Sequence, residues 1–204
     1  MTDADADADI VTVAARRGRP RSATADEVII RTALELVAQD GIGALTVAAV
    51  ADRAGVGKAT IYRRWASKAE LVDAAFTHLS EQFPDPEGET TRDRLVSLLG
   101  SPQIRGSLPA RLLPRILSHK LAQPELYQGF FLRVIEPRRE QFRVELRRGI
   151  ARGDIRGDLE LDVMVNALVA PFMYRSLVLP SSGPPPLDLA AAVVDLALQG
   201  LAPR

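Results

Sequence analysis

The chain contains no cysteine and only two histidines, His78 and His119, in 204 residues. The first absence excludes disulfides, thiolate metal centres and a cysteine nucleophile. The second argues against a multi-histidine metal site; neither a metal nor a cofactor is expected. Aromatic residues make up 5 % of the chain, so its core must be mostly aliphatic. An excess of either charge is missing too, with 26 Lys+Arg against 26 Asp+Glu. Partners must therefore be read from how charge is distributed, not from its sum. Long uncharged apolar runs are also absent. The most apolar stretch, Leu161 to Leu179, carries Asp162, Asn166 and Arg175, whereas a membrane span wants about 20 nearly uncharged residues. The N-terminus is acidic at Asp3, Asp5, Asp7 and Asp9 and not basic and apolar as a signal peptide requires. A cytoplasmic protein without a membrane partner is expected.

What is present is a hydrophobic fraction of 47 % and a charged fraction of 25 %, the proportions of a soluble globular chain. The length allows one large domain or two small ones. Residues 1–18 combine an Asp/Ala repeat with the start of a basic run, Arg16-Arg17-Gly18-Arg19-Pro20-Arg21, and are expected to be a disordered tail.

Beyond the tail every periodic segment is helical. Thr24-Ala-Asp-Glu27 has the form of a capping box, in which the Thr oxygen caps a free N–H and the Glu reaches back. Ile29, Ile30, Ala33, Leu34, Leu36 and Val37 follow at helical spacing, and Gly41 ends this first helix, predicted over 25–40. Thr46 can cap a short Ala-rich helix, Val47 to about Ala54, broken by Gly55. A third helix starts near Gly57 and runs to about Arg64. Ser67-Lys-Ala-Glu70 is a second capping box, opening a fourth helix with Leu71, Val72, Ala75, Phe76 and Leu79 on one face. Pro84-Asp85-Pro86-Glu87-Gly88 reads as a linker.

After the linker, helices are predicted around 91–100, 108–121, 125–152, 160–178 and 188–201. Pro137 should kink or interrupt the long one. Pro184-Pro185-Pro186 separates the last two. No window alternates with period two, so the fold class is all-α, with about nine helices.

Thr46 to Trp65, a short helix, a glycine-containing turn and a second short helix, has the layout of a helix-turn-helix. Ala48, Ala49, Ala51 and Ala54 let the two helices cross closely. Val56, Ile61 and Trp65 can face inward. That leaves Lys58, Ala59, Thr60, Tyr62, Arg63 and Arg64 for the outside, and hydroxyl and cationic groups of this kind suit phosphate oxygens. Gly55-Val-Gly-Lys58-Ala-Thr60 also mimics a nucleotide-binding loop. It has Asp52 and Ala59 where that pattern needs Gly and Ser/Thr, and no strand precedes it. Arg152-Gly-Asp and Arg156-Gly-Asp are simplest as polar turns.

In Leu45-Thr46-Val47-Ala48-Ala49-Val50-Ala51-Asp52-Arg53-Ala54-Gly55-Val56-Gly57-Lys58-Ala59-Thr60-Ile61-Tyr62-Arg63-Arg64-Trp65-Ala66-Ser67-Lys68-Ala69-Glu70-Leu71, the sequence resembles the TetR family of transcriptional repressors. The resemblance is strong over residues 19–80. It is weaker beyond, where Pro137-Arg138-Arg139, Arg152-Gly153-Asp154-Ile155 and the last apolar helices resemble a C-terminal ligand-binding domain of that family. It implies a DNA-binding domain over 19–83 and a ligand-binding and dimerisation domain over 84–204. It also implies roles. Thr46 would bind a phosphate. Lys58 and Ala59 would face bases, Lys58 suiting guanine O6/N7 and the Ala59 methyl a thymine methyl. Thr60, Tyr62 and Arg64 would hold phosphates, and Lys68 another, at a helix N-terminus. Arg19 and Arg21 could extend into the minor groove. Gly57 departs from relatives that carry a hydroxyl there, which puts a cap and a phosphate contact in question.

The protein implied is not an enzyme. It is a repressor that binds a palindromic operator as a dimer and is released by a small hydrophobic or amphipathic effector. Leu113, Ile116, Leu117, Phe130, Phe131, Val134, Phe172 and Met173 are the candidate pocket residues. Phe142 and Tyr174 are further aromatic candidates, His119 could point into the cavity, and Arg138 and Arg139 are expected on a solvated face. The last two helices are apolar on more than one face, which a symmetric four-helix interface between two copies would bury. Two other classes stay open: an enzyme with a helical catalytic domain, and a DNA-binding dimer without an effector.

Overall fold

The computed structural model describes residues 21–100, 108–179 and 188–201. Ten α-helices follow one another in chain order: α1 (Arg21–Asp40), α2 (Val47–Ala54), α3 (Lys58–Tyr62), α4 (Lys68–Ser80), α5 (Thr91–Gly100), α6 (Leu108–Leu117), α7 (Pro124–Phe130), α8 (Glu136–Arg152), α9 (Leu161–Leu177) and α10 (Leu189–Leu201). A 3-10 turn, Ile42–Ala44, sits between α1 and α2. A π turn, Phe131–Ile135, joins α7 to α8. Since α7, the π turn and α8 run on without a break, nine rods account for the described residues, and no strand occurs among them. No helix among them is long and apolar enough to cross a membrane.

The local signals account for most boundaries. The Thr46 side chain accepts a hydrogen bond from the Ala49 N–H at 3.0 Å and opens α2; such a cap is worth about 1 kcal/mol. Gly55 closes α2 at φ +67°, a left-handed conformation that costs glycine little. Ser67 caps α4 through the Glu70 N–H at 3.1 Å, while the Glu70 carboxylate accepts from the Ala66 N–H at 2.9 Å. The capping box is thus shifted by one residue, because the return bond reaches past the cap itself.

Two boundaries are corrected. The first helix already includes Arg21, where the described residues begin, so Thr24 lies inside the helix instead of ahead of it. Arg21-Ser-Ala contains no breaker that would keep these residues out of the helix. The helix starting at Leu108 ends at Leu117 and gives way to turns, leaving Leu121 almost fully exposed. Pro137 interrupts the α-helical pairing of the long segment, as expected, without ending the rod. It lacks the N–H that α-helical pairing would need and crowds the carbonyl four residues back. The π turn immediately ahead of it absorbs that conflict, with the Glu136 N–H bonding to the Phe131 carbonyl five residues back. The triple proline 184–186 lies outside the described residues.

Two apolar cores form. The first joins α1 to α4 with α6, α7 and the π turn. Ile29, Leu34, Leu45, Ile61, Leu71 and Leu79 meet Leu112, Ile116, Phe130 and Val134 in one cluster. The second joins α5, α8, α9 and α10 through Leu95, Leu98, Phe142, Leu146, Val165, Leu168 and Val194. The cores therefore do not part at the 83/84 linker, because α6 and α7 come after it in sequence but pack with the helices before it.

Candidate functional site

Two features stand out, a polar outer face on α3 and a cavity between the cores. On α3, Ile61 is fully buried, and Val56 and Trp65 pack at the edge of the first core as the pattern predicts. Lys58, Ala59, Tyr62 and Arg63 face solvent, Tyr62 being 51 % exposed. Lys68, the first residue of α4, and Thr46, whose hydroxyl proton remains free to donate, are exposed as well. Gly57 supplies no side-chain cap to α3. Its φ of −71° is one that any residue adopts, and nothing lies within 4 Å of where a Cβ would stand.

The expected set is not uniform. Thr60 is half-buried. Arg64 turns inward, pairs with Asp26 of α1 and donates to the Thr60 carbonyl at 3.0 Å. Its side chain is 18 % exposed, so it clamps α3 to α1 before it offers anything to a partner. Arg21 lies within α1, and Arg19 lies outside the described residues. Among the described residues, Lys58, Arg63 and Lys68 have no carboxylate partner, whereas Arg92, Arg94, Arg133, Arg143, Arg147 and Arg156 each face one.

The second feature is a cavity of about 480 Å³ bounded by α5, α6, α7, the π turn, α8 and α9. Seven expected residues line it: Leu113, Leu117, Phe130, Phe131, Val134, Phe172 and Met173. Ile116 does not. It is fully buried in the first core, because Leu112 and Ile116 form the stripe of α6 that faces away from the cavity while Leu113 and Leu117 face it. Phe142 also lines the cavity. Tyr174 is 58 % exposed and lies outside it, and His119 packs near Gly41 instead. Phe83, Leu98 and Leu99 join the lining from elements the pattern had not connected to it, and Asn166 joins it from α9.

Arg138 and Arg139 overturn their expected solvated face, since both reach the cavity wall. Arg139 bonds to Asn166 at 2.8 Å and pairs with Asp162 at 3.2 Å. Arg138 lies between the rings of Phe83 and Phe142, its guanidinium carbon 5.3 Å and 5.8 Å from their centres. Burial lowers its pKa to about 10. The one signal that could have found it is its place four residues before Phe142 on one helix face. No group of three or more acidic or histidine side chains among the described residues is placed to hold a metal ion.

Residues 29–75 match the family described as "Bacterial regulatory proteins, tetR family", and residues 85–197 match the "Tetracyclin repressor-like, C-terminal domain". The chain belongs to the TetR family. It is 28 % identical over 165 residues to the HTH-type transcriptional regulator YdeS of Bacillus subtilis, covering 80 % of this chain and 83 % of that one. It is 34 % identical over 104 residues to the DNA-binding transcriptional repressor TetR of Mycobacteroides abscessus, covering 50 % and 53 %. The fold is shared with the transcriptional regulator FadR of Bacillus subtilis, solved in complex with stearoyl-CoA. The TM-score is 0.64 at 20 % identity, over 86 % of this chain and 98 % of FadR. This TetR-family chain is thus a helix-turn-helix transcriptional regulator, and the family indicates no enzymatic activity.

Proposed function

We propose that this regulator is a repressor that binds a palindromic operator as a homodimer and releases it when a small amphipathic effector enters the cavity. The observation that carries the DNA reading is the face of α3. Lys58 and Arg63 stand exposed and unpaired there beside Tyr62, on a helix whose other side is committed to the core. In this reading Lys58 and Ala59 meet base edges. Thr46, Thr60, Tyr62, Arg63 and Lys68 hold phosphates, with Gly57 bringing the backbone close and Arg21 and Arg19 trailing toward the minor groove. Arg64 acts mainly by fixing α3 against α1.

The effector reading rests on how the cavity is attached to that face. Phe130, which lines the cavity, meets Phe76 of α4 edge-on at 5.2 Å. Arg133 of the π turn grips Asp73 of α4 through two bonds of 2.7 Å. Helix α4 begins at Lys68 beside α3, so a shift of α7 or the π turn on ligand entry is transmitted to the DNA face. Ligand and operator then couple negatively, and reciprocally. The FadR relative holds its acyl-CoA in the same fold. The alternatives weigh less: the family indicates no enzymatic activity, and a regulator without an effector leaves a cavity this size without use.

Dimerisation is assigned to α9 and α10. Val163 is 53 % and Leu196 73 % exposed, on helices whose other faces are already buried. Leu196→Glu is expected to convert a dimer to monomer in light scattering at micromolar concentration and to weaken operator binding; a wild-type chain that is monomeric there overturns the assignment. Selection of fragments from random DNA by the purified protein tests the whole reading. The expected result is an inverted repeat with half-site centres about 34–36 Å apart, and recovery of no common sequence overturns it.

A further inference from the structure

Among the described residues, one charge on the cavity wall has no counter-ion. Arg138 donates through Nη1 to the Gln141 side-chain oxygen at 2.7 Å and through Nη2 to the Leu98 carbonyl. Both acceptors are neutral. Of the five N–H donors of a guanidinium, the remaining three have no protein acceptor among the described residues. The carboxylates nearby are engaged elsewhere. Glu136 binds Arg143 and Arg139, Glu140 binds Arg143 and Arg147, Asp162 binds Arg143 and Arg139, and Glu145 binds Arg94 and Arg148. Arg139, the next residue, shares the wall but is fully partnered. Buried charges in proteins are ordinarily paired, and an arginine fork meets the oxygens of a carboxylate or a phosphate bidentately; one cation in an apolar wall balances the single charge of a carboxylate but not the nearly double charge of a phosphate monoester.

The rest of the lining offers no second charge of this kind and is mostly aliphatic and aromatic. We infer that the cavity takes an amphipathic carboxylate, its headgroup on the free edge of Arg138 and its apolar tail against Leu113, Phe131 and Phe172. This deepens the effector reading and rests on it. A cavity of about 480 Å³ falls within the range of roughly 300–1,000 Å³ of small-molecule sites. The rings of Phe83 and Phe142 flank the guanidinium, and Arg138 contributes to the cavity wall. At neutral pH Arg138 stays charged despite its lowered pKa, so the ligand meets a cation that water solvates poorly.

The test is calorimetric titration of the full chain with three probes of equal tail length: dodecanoate, dodecanol and dodecanoyl-CoA. Dodecanoate is expected to bind about tenfold to a hundredfold more tightly than dodecanol. In Arg138→Met that advantage disappears while dodecanol binds as before, which also reports that the cavity is intact. Equal affinity for dodecanoate and dodecanol in the native chain overturns the assignment. So does dodecanoate binding that survives Arg138→Met, or a thioester that binds more tightly than the free acid, since the anionic groups of the thioester are phosphates and the site would then read phosphate and not carboxylate. If none of the three binds, this inference and the effector reading fall together. If dodecanoate binds through Arg138 but leaves operator affinity unchanged, the site stands and only the release mechanism is lost.

Discussion

Lys58→Ala combined with Tyr62→Phe is expected to lower operator affinity by roughly 30-fold to 10⁴-fold while leaving the thermal midpoint where it was. One good base contact is worth about 1–3 kcal/mol. A twofold assembly loses it twice, so the dimer forfeits about 2–6 kcal/mol, which is that range in affinity. Stability is untouched because both side chains are exposed and neither has a protein partner that the change would orphan. Ile61 and the Arg64–Asp26 clamp continue to hold α3 in place. The charge change needs its own control. Lys120→Ala removes one positive charge from a residue that sits 4.8 Å over the Tyr127 ring, away from the helix-turn-helix, and should leave operator affinity nearly unchanged. Arg63→Ala should weaken binding to all duplexes alike and flatten the dependence on salt, as loss of a phosphate contact does. Fluorescence anisotropy at several salt concentrations reads all of these. Unchanged affinity and sequence preference in the double variant would remove the DNA reading of α3.

The helix-turn-helix was legible in the sequence because each of its parts is a local device. A threonine cap, four alanines, a left-handed glycine and a serine cap all lie within 22 residues of one another, and each acts on its own neighbours. The cavity was legible only by half. Periodicity identifies the apolar faces of α6, α7 and α9, and seven of the eight pocket residues it picks are lining residues. It does not say which of two adjacent stripes on α6 faces which core, and so it misplaces Ile116. Nor does it show that α6 and α7 return to pack against α1 and α4, since that pairing depends on contacts distant in sequence. Arg138 was missed for the same reason. A Pro-Arg-Arg run in a charged helix looks solvated until Leu98, forty residues earlier, covers it. Arg64 erred in the opposite direction. Its spacing on α3 suits a phosphate, but Asp26 of α1 reaches it first.

Glu145→Ala is expected to cost about 3–5 kcal/mol of stability, the scale of breaking a buried ion pair. Its side chain is 3 % exposed and receives two bonds from Arg94 of α5, at 2.6 Å and 3.0 Å, and one from Arg148 at 2.7 Å. This pair locks α5 to α8 along one wall of the second core. Burial alone would raise the Glu145 pKa, but Arg94 and Arg148 outweigh it and the net shift is downward. The sign follows from linkage. A carboxylate with a lowered folded pKa contributes stability that is present above its unfolded value of about 4.3 and is lost as pH falls through the folded value. The wild-type thermal midpoint should therefore decline below about pH 4.3 more steeply than that of Glu145→Ala. At neutral pH the variant should melt roughly 6–20 °C lower, at about 2–4 °C per kcal/mol for a chain this long. Most of that cost is the orphaning of Arg94, whose side chain is only 23 % exposed. Arg94→Met with Glu145→Leu should then recover much of the loss, because replacing both ions by apolar groups leaves no buried charge unpaired. If the double variant melts below Glu145→Ala, the ion pair itself, and not the uncompensated arginine, is what holds α5 to α8.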